Sequence, residues 1–173
     1  MTKFDSDKET FTILSNSDGH YAKDKDCVFL MGQTIPGADP GSFKLMKGSY
    51  GKDKERVFCG NVPMQVSKVE SFEVLESSHY SWSKIYDKKT FIFEYGDSLA
   101  EVPVSKEKPA NFTVGWGRDG ASYYYGPAKV EGADYDSFKV IDIKNAKDKN
   151  NKYEGAFPPN VWEKRKAKYF EPD

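Results

Sequence analysis

The sequence predicts an all-β protein built from about five tandem β-hairpin repeats of roughly 30 residues each. Three observations support this fold class. The 173 residues include 12 Val, 6 Ile and 26 aromatic residues but only 5 Leu, a balance that favours strands over helices. Fourteen glycines and nine prolines supply turns. A short aromatic and charged motif also recurs along the chain, which is typical of repeat architectures.

Each repeat opens with a segment in which apolar and polar residues alternate. This alternation is typical of a half-buried strand, so each segment predicts the first strand of a hairpin. The five segments begin at Phe11, Phe43, Phe72, Phe112 and Phe138.

A charged turn follows each of these strands, and we predict that its aspartate has a structural role. An aspartate side chain can hydrogen-bond the backbone two residues further on, and the lysines that flank most of these aspartates keep the turn solvated. The turn aspartates are Asp24, Asp53, Asp87, Asp119 and Asp148, at intervals of 29, 34, 32 and 29 residues. These similar intervals define the repeat.

The turn leads into a return strand rich in aromatic residues, such as the Tyr-Tyr-Tyr run at 123–125, and a glycine ends the strand. One such hairpin cannot bury its own apolar face, so several must pack together. We therefore expect a single domain over residues 1–173, in which residues 11–155 form the repeat region.

The repeat is interrupted once. Phe72 and Phe112 are 40 residues apart, whereas the other intervals between the opening phenylalanines are 26 to 32 residues. The excess lies in residues 94–111, a charged segment that contains proline. We predict an insertion there, which is either a tolerated surface loop or a partner-binding loop.

Residues 156–173 form a C-terminal tail that also leaves the repeat. Pro158-Pro159 stops the last strand, and Asn160 can cap a short helix over Val161–Tyr169. We expect the charged residues of this helix to form a solvated face.

Charge and hydropathy exclude several classes of protein. The formal net charge is −1, whereas a protein that holds nucleic acid by electrostatics shows a basic excess or a basic face. No apolar run approaches the roughly 18 residues of a membrane span. The first ten residues are polar and contain no signal peptide. We therefore expect a cytoplasmic location, or a secreted one if a signal peptide has been removed.

No combination of side chains predicts catalysis or a cofactor. His20 and His79 each precede a repeat tyrosine, which favours a structural role. Cys27 and Cys59 are too few for a disulfide framework and are expected to be small buried residues. Two Asp-x-Asp pairs have calcium-type spacing but lack the glycine and the distal glutamate of a calcium loop. We predict a protein that is not an enzyme and binds no metal or cofactor.

Two segments, 21–29 and 37–45, resemble the DKNYY repeat family of bacterial proteins, which is named after an Asp-Lys-Asn-Tyr-Tyr core. In the first segment the Asn and the first Tyr of this core are altered. The resemblance covers about Phe11 to Gly155, and it implies a bacterial origin, a β-hairpin repeat and no enzymatic activity. Proteins of this sort occur at polymorphic-toxin loci, so the resemblance implies an immunity protein for a member without a signal peptide.

The first functional hypothesis is therefore a cytoplasmic immunity protein that binds and neutralises a cognate toxin domain, such as a nuclease. Tyrosine and tryptophan are enriched among interface anchors, and acidic residues near the insertion could mimic phosphate. The candidate partner-binding residues are Trp82, Tyr95, Asp97, Glu101 and Trp116. We expect a protein partner, with no nucleic acid and no membrane, and a chain that is a monomer or a small homo-oligomer.

Two other hypotheses stay open. A secreted or surface module could use exposed aromatic rings to hold glycan or cell-wall material, and an upstream signal or lipobox would favour this alternative. An enzyme of unrecognised type would need a deep pocket that gathers His20 or His79 with carboxylates of shifted pKa.

Overall fold

The computed structural model describes residues 6–16, 19–48, 50–77, 84–85, 90–95, 98–103 and 115–155. These residues form eighteen β-strands and no helix, and every strand pair is antiparallel. The all-β prediction is therefore confirmed. The predicted C-terminal helix in residues 156–173 lies outside the described residues, as does Asp87.

The first two units are four-stranded sheets in which each strand pairs with the next one along the chain. Unit 1 consists of β1 (Thr12–Asn16), β2 (Gly19–Lys23), β3 (Val28–Leu30) and β4 (Gln33–Thr34). Unit 2 consists of β5 (Lys44–Leu45), β6 (Tyr50–Lys52), β7 (Val57–Cys59) and β8 (Val62–Pro63). In both units the turn aspartate lies between the second and third strands, so one additional strand separates the opening strand from the turn that the sequence pattern placed directly after it.

The third unit is formed from two separated parts of the chain. It opens with β9 (Glu73–Ser77). The chain then forms a separate three-stranded sheet of β10 (Lys84–Ile85), β11 (Thr90–Tyr95) and β12 (Ser98–Pro103). It returns as β13 (Gly115–Arg118), β14 (Tyr123–Tyr125) and β15 (Ala128–Lys129). Because β13 pairs with β9, unit 3 has the strand order β9-β13-β14-β15.

The fourth unit is a three-stranded sheet in chain order. It consists of β16 (Lys139–Val140), β17 (Asn145–Lys147) and β18 (Lys152–Glu154). Its turn aspartate, like those of the other units, precedes the return strand.

The described residues contain four repeat units where the sequence suggested about five. The strand that follows Phe72 pairs with the strand that precedes Asp119, so both strands belong to one unit. The chain leaves this unit over residues 78–114, which we call the insert and which is longer than the predicted 94–111. Removing these 37 residues would reduce the 66-residue interval between Asp53 and Asp119 to the 29 residues found between other units.

The core lies between successive units. One cluster of buried side chains joins Tyr21 and Val28 of unit 1 to Phe43 and Phe58 of unit 2. A second cluster runs from unit 2 through unit 3 to unit 4. Each hairpin therefore buries its apolar face against its neighbour, as expected for a protein whose repeats contact mainly the repeats next to them.

Candidate interaction site

Four aspartates, one in each unit, close the same hydrogen-bonded turn. The Oδ1 atom accepts the backbone N–H groups two and three residues further on, at 2.7–3.0 Å. The backbone N–H of each aspartate donates to the carbonyl three residues further on, at 2.9–3.1 Å. The four residues are Asp24, Asp53, Asp119 and Asp148. Their carboxylates thus determine the shape of the turns.

The second carboxylate oxygen of each turn aspartate holds the loop that leads into the same unit. This Oδ2 atom accepts a backbone N–H from the loop at 2.8–3.0 Å, a contact that we call the loop clip. The donors are Asp7, Asp39, Ser67 and Asp134. With both oxygens engaged in this way, the turn carboxylates have little capacity left for a metal ion or a substrate.

An ion pair accompanies the loop clip in units 1, 2 and 4. The lysine after the turn aspartate reaches the carboxylate of the loop aspartate. The N–O distances are 2.6 Å for Lys25–Asp7, 3.3 Å for Lys54–Asp39 and 2.8 Å for Lys149–Asp134. Hydrogen bonds from the lysine ammonium groups lower the pKa values of Asp7 and Asp134. Unit 3 has Ser67 and Gly120 at these two positions, so it lacks both members of the pair.

Asp119 of unit 3 is fully buried and has an additional hydrogen-bond donor. Its Oδ2 atom accepts the Tyr124 hydroxyl at 2.8 Å as well as the N–H of Ser67 at 2.8 Å. Burial acts to raise the pKa of Asp119, but the Tyr124 hydroxyl and the backbone N–H groups of the turn outweigh it, so the pKa is lowered. Burial and the neighbouring carboxylate raise the pKa of Tyr124 to about 12. The contact therefore joins an ionised acid to a neutral phenol, which suits a structural role.

A buried aromatic side chain in units 1, 2 and 3 donates a hydrogen bond to the backbone of the following unit. Each of these residues stands three positions before the turn aspartate and is 0% exposed. The bonds run from Tyr21 to the Gly60 carbonyl at 3.3 Å, from Tyr50 to the Gly115 and Gly126 carbonyls at 3.2 and 3.3 Å, and from Trp116 to the Asp142 carbonyl at 2.9 Å. We call these bonds the stitches. Unit 4 has the exposed Asn145 at this position, so the series ends there.

The opening phenylalanines pack between these stitching rings and a second ring of their own unit. Phe43, Phe72 and Phe138 have ring centroids 5.8–5.9 Å from the aromatic residue of the preceding unit. Small residues make room for them. A Cβ atom on Gly51 would lie 2.3 Å from the Cζ atom of Phe43, and one on Gly117 would lie 2.6 Å from that of Phe72.

The predicted partner-binding residue Trp116 belongs to the core, and its assignment to a partner surface is wrong. Its ring is 0% exposed and packs against Tyr125 and Phe138, with centroid distances of 4.7 and 5.8 Å. A side chain with no exposed surface offers nothing to a partner. Its position, equivalent to that of Tyr21 and Tyr50, is the sequence signal that identifies it as a stitch.

The other four predicted partner-binding residues fall in the insert. Tyr95 lies at the end of β11, where its backbone pairs with Ser98, and Glu101 lies in β12. Trp82 and Asp97 lie outside the described residues. The structure thus assigns two of these residues to one inserted hairpin.

The two long strands of the insert pair in a regular register. Positions 91 and 93 pair with 102 and 100, and positions 92 and 94 pair with 101 and 99. The first set of positions contains two Phe with Val and Ala, whereas the second contains Ile and Leu with two Glu.

The insert leaves and rejoins the repeat at a close approach of two strands, which we call the neck and which consists of Ser77 and Gly115. These two residues pair. A Cβ atom on Gly115 would lie 2.4 Å from the Glu76 carbonyl oxygen and 2.9 Å from the Cα atom of Ser77, so only glycine fits. The Gly115 carbonyl also accepts the N–H of Gly126 at 2.7 Å. Sequence reasoning does not find the neck, because its two halves are separated by the whole insert.

Other predicted chemistry is placed as follows. Cys59 is buried on β7, Cys27 is half-buried in the turn before β3, and no disulfide joins them. His20 lies in β2 and its backbone pairs with Ser15, whereas His79 is outside the described residues. In the part of the chain that the structure describes, no group of three or more Asp, Glu, His or Cys could hold a metal ion. The same part contains no helix that could span a membrane.

The fold and its turns define a β-hairpin repeat protein in which one unit is interrupted by an additional small sheet. The sequence model of the DKNYY family matches residues 21–170. Since this match covers most of the chain, the protein belongs to the DKNYY family, and the resemblance seen in segments 21–29 and 37–45 is confirmed. No curated protein and no solved structure matches the chain.

Proposed function

We propose that the protein is a non-catalytic binding protein and that the insert carries its partner surface. The observation that supports this proposal is the contrast between the four units and the insert. The four units share the same turn and clip contacts, whereas the insert interrupts one of these units and adds a separate three-stranded sheet to it. An insertion confined to one repeat lies on one face of a repeat protein, which is often the binding face.

The hydrogen bonds of the repeat units support a scaffold role for these units. The turn carboxylates of Asp24, Asp53, Asp119 and Asp148 accept backbone N–H groups with both oxygens. A general acid or base needs an oxygen free to meet a substrate proton. The four turn aspartates therefore suit a structural role.

The partner that we propose is a cognate toxin domain, which the protein would bind and neutralise as an immunity protein in the cytoplasm. Membership of the DKNYY family is consistent with this role. Glu94 pairs with Leu99, which is two positions from Glu101, so the two glutamates occupy diagonal register positions in the inserted hairpin. Two acidic residues at such positions would complement a basic surface, such as that of a nuclease.

The alternative of a glycan-binding module receives less support from the described residues. Such a module needs exposed rings on which a sugar can stack. The tyrosines of the repeat units at positions 21, 50, 123–125 and 153 are at most 4% exposed, and Trp116 is buried as well. These rings form the core, so they offer no platform to a sugar.

The proposal is tested by replacing the insert with the short connection of unit 2. Residues 46–49 join β5 to β6, so the same four residues can join β9 to β13 in place of residues 78–114. Both proteins are co-expressed with the product of the neighbouring gene, which is the candidate toxin domain. Cell growth and complex formation by size-exclusion chromatography are then measured. We expect the wild type to restore growth and to form a complex, and the shortened protein to do neither.

Two controls make the result decisive. The shortened protein must keep an all-β circular dichroism spectrum and a cooperative melting transition. A Lys152→Ala variant, which changes an exposed side chain of unit 4, should bind like the wild type. Binding by the shortened protein would show that the insert is not the partner surface. Failure of the wild type to bind or to restore growth would refute the immunity role.

A further inference from the structure

The hydroxyl of Tyr50 connects unit 2 to two places in unit 3. The Tyr50 ring is 0% exposed, and its hydroxyl lies 3.2 Å from the Gly115 carbonyl oxygen and 3.3 Å from that of Gly126. Gly126 in turn donates its N–H to the Gly115 carbonyl at 2.7 Å. The three groups form one buried junction between unit 2, the neck and the turn after β14.

The two carbonyl groups that accept the Tyr50 hydroxyl belong to two segments next to the insert. Gly115 is the first residue after the insert and forms half of the neck. Gly126 lies in the turn that leads into β15, and β15 lies beside β12 of the insert. A single hydroxyl thus bonds the backbone at the point where the insert rejoins the unit and in the turn before the strand that the insert touches.

One strand of the neck contributes no side chain to the contact. Ser77 and Gly115 form the pair, and Gly115 has no side chain that could pack against a neighbour. Glycine weakens a strand because it has no side chain to pack. The hydroxyl of Tyr50 adds a contact from a different unit at this point.

We propose that the Tyr50 hydroxyl is a positioning group that fixes the orientation of the insert on the repeat units and thereby strengthens partner binding. The second part rests on the proposed function, whereas the first does not. If the insert loses its fixed direction, only a fraction of the molecules present it correctly, and the apparent dissociation constant rises by the inverse of that fraction.

The test compares Tyr50→Phe with the matched variant Tyr21→Phe. Tyr21 makes the equivalent stitch to Gly60 of unit 2, a unit that carries no insert. Each variant removes one buried hydroxyl and keeps the ring. Both should therefore lose a similar amount of thermal stability. Only Tyr50→Phe should change the behaviour of the insert.

The first measurement uses the protein alone. The ratio of transverse to longitudinal ¹⁵N relaxation rates is compared between the amides of β11–β12 and those of the repeat units. We expect equal ratios in the wild type and in Tyr21→Phe, and a lower ratio for β11–β12 in Tyr50→Phe. An insert that already tumbles separately in the wild type, or one whose ratio does not change in Tyr50→Phe, would overturn the proposal.

The second measurement is the affinity of the folded proteins for the product of the neighbouring gene, the candidate toxin domain. We expect Tyr50→Phe to bind about five- to tenfold more weakly, mainly through a slower association rate, and Tyr21→Phe to bind like the wild type. An unchanged affinity in Tyr50→Phe would overturn the link to binding. If the wild type does not bind, the proposed function fails, while the relaxation ratios still decide the positioning role.

Discussion

Units 2 and 3 share one plan but hold their turns in different ways. In unit 2 the turn lies beside the exposed Lys54–Asp39 ion pair, whereas unit 3 has Gly120 and Ser67 at these positions. Unit 3 has instead a buried hydroxyl–carboxylate contact, because Tyr124 stands where unit 2 has Phe58. The turn thus needs the backbone N–H contacts of its aspartate, while the groups around these contacts can change.

The two units also differ at the opposite end of the hairpin. In unit 2 the strands β5 and β6 are joined by four residues, and β5 has only two residues. In unit 3 the insert takes the place of this connection, and β9 has five residues, four of which pair with β13. The longer β9–β13 ladder thus lies at the point where the chain leaves unit 3 for the sheet of β10, β11 and β12. The unit that carries the insert is also the one with the most deeply buried turn aspartate.

The largest expected effect is the loss of this buried carboxylate. Asp119→Ala leaves the Tyr124 hydroxyl and several backbone N–H groups without an acceptor in a buried site, so we expect a loss of about 3 kcal/mol or more in the free energy of unfolding. Asp53→Ala of unit 2 should cost less, because water can reach more of its turn. Urea denaturation followed by circular dichroism measures both. Equal losses would show that burial does not distinguish the two units.

The next effect concerns the neck. Gly115→Ala places a Cβ atom against the backbone of Glu76 and Ser77, so we expect a cost of about 2 kcal/mol from overpacking. Gly132→Ala is the control, since a Cβ atom there meets nothing within 4 Å and only its positive φ of 69° opposes the change. Thermal melting compares the two variants. A Gly115→Ala protein as stable as Gly132→Ala would mean that the two strands of the neck can separate.

A smaller effect is expected from exchanging the residues that distinguish the two turns. Tyr124→Phe removes the hydroxyl from Asp119 and should cost about 1 kcal/mol. The reciprocal change, Phe58→Tyr, would place a hydroxyl at the equivalent position near Asp53, so unit 2 should gain a fraction of that amount. Chemical denaturation is precise enough for both. A loss of stability in Phe58→Tyr would indicate that unit 2 cannot adopt the contact of unit 3.

Stability should fall at both extremes of pH, and unit 3 contributes to both losses through Asp119 and Tyr124. The pKa values of Asp24, Asp119 and Asp148 are lowered in the folded protein, so their contribution is present at neutral pH and is lost as the pH falls below about 4. The pKa of Tyr124 is raised to about 12, so its contribution is lost as the pH rises above about 10. Melting temperatures from pH 2 to 11 test this, and Tyr124→Phe should weaken the alkaline loss. A flat profile below pH 4 would contradict the carboxylate contacts.

The smallest effect should come from the exposed ion pair of unit 2. Lys54→Ala breaks the contact with Asp39 on a solvated surface, where screening and side-chain entropy cancel most of the attraction. We expect the urea midpoint to stay almost unchanged and the remaining difference to vanish in concentrated salt. A clear loss of stability that persists in salt would show that unit 2 depends on its ion pair more than unit 3 suggests.

Local features of the repeat could be predicted from the sequence, whereas the pairing within unit 3 could not. The turn at Asp53 depends on residues next to it, so its pattern is visible in the chain. The strand after Phe72 pairs across 37 intervening residues, and that segment contains a Tyr-Asp-Lys-Lys-Thr-Phe run similar to the repeat motif. Asp87, which stands in this run, lies outside the described residues. Trp116 is likewise buried because a residue of the next unit, Phe138, packs against it, and the residue type alone does not reveal this contact.

The stitches give the row of units a direction. Each one is donated by the earlier unit and accepted by the backbone of the later unit, from Tyr21, Tyr50 and Trp116 onward. If units are removed from the C-terminal side, a buried hydrogen-bond donor of the last remaining unit loses its acceptor. If units are removed from the N-terminal side, only backbone carbonyls lose a donor, and unpaired carbonyls are tolerated better than unpaired donors. The units therefore depend on one another in one direction, because each donor unit needs the unit after it to accept its buried hydrogen bond. In the described residues this series ends at Asn145, whose side-chain amide donates to Asp142 of its own unit.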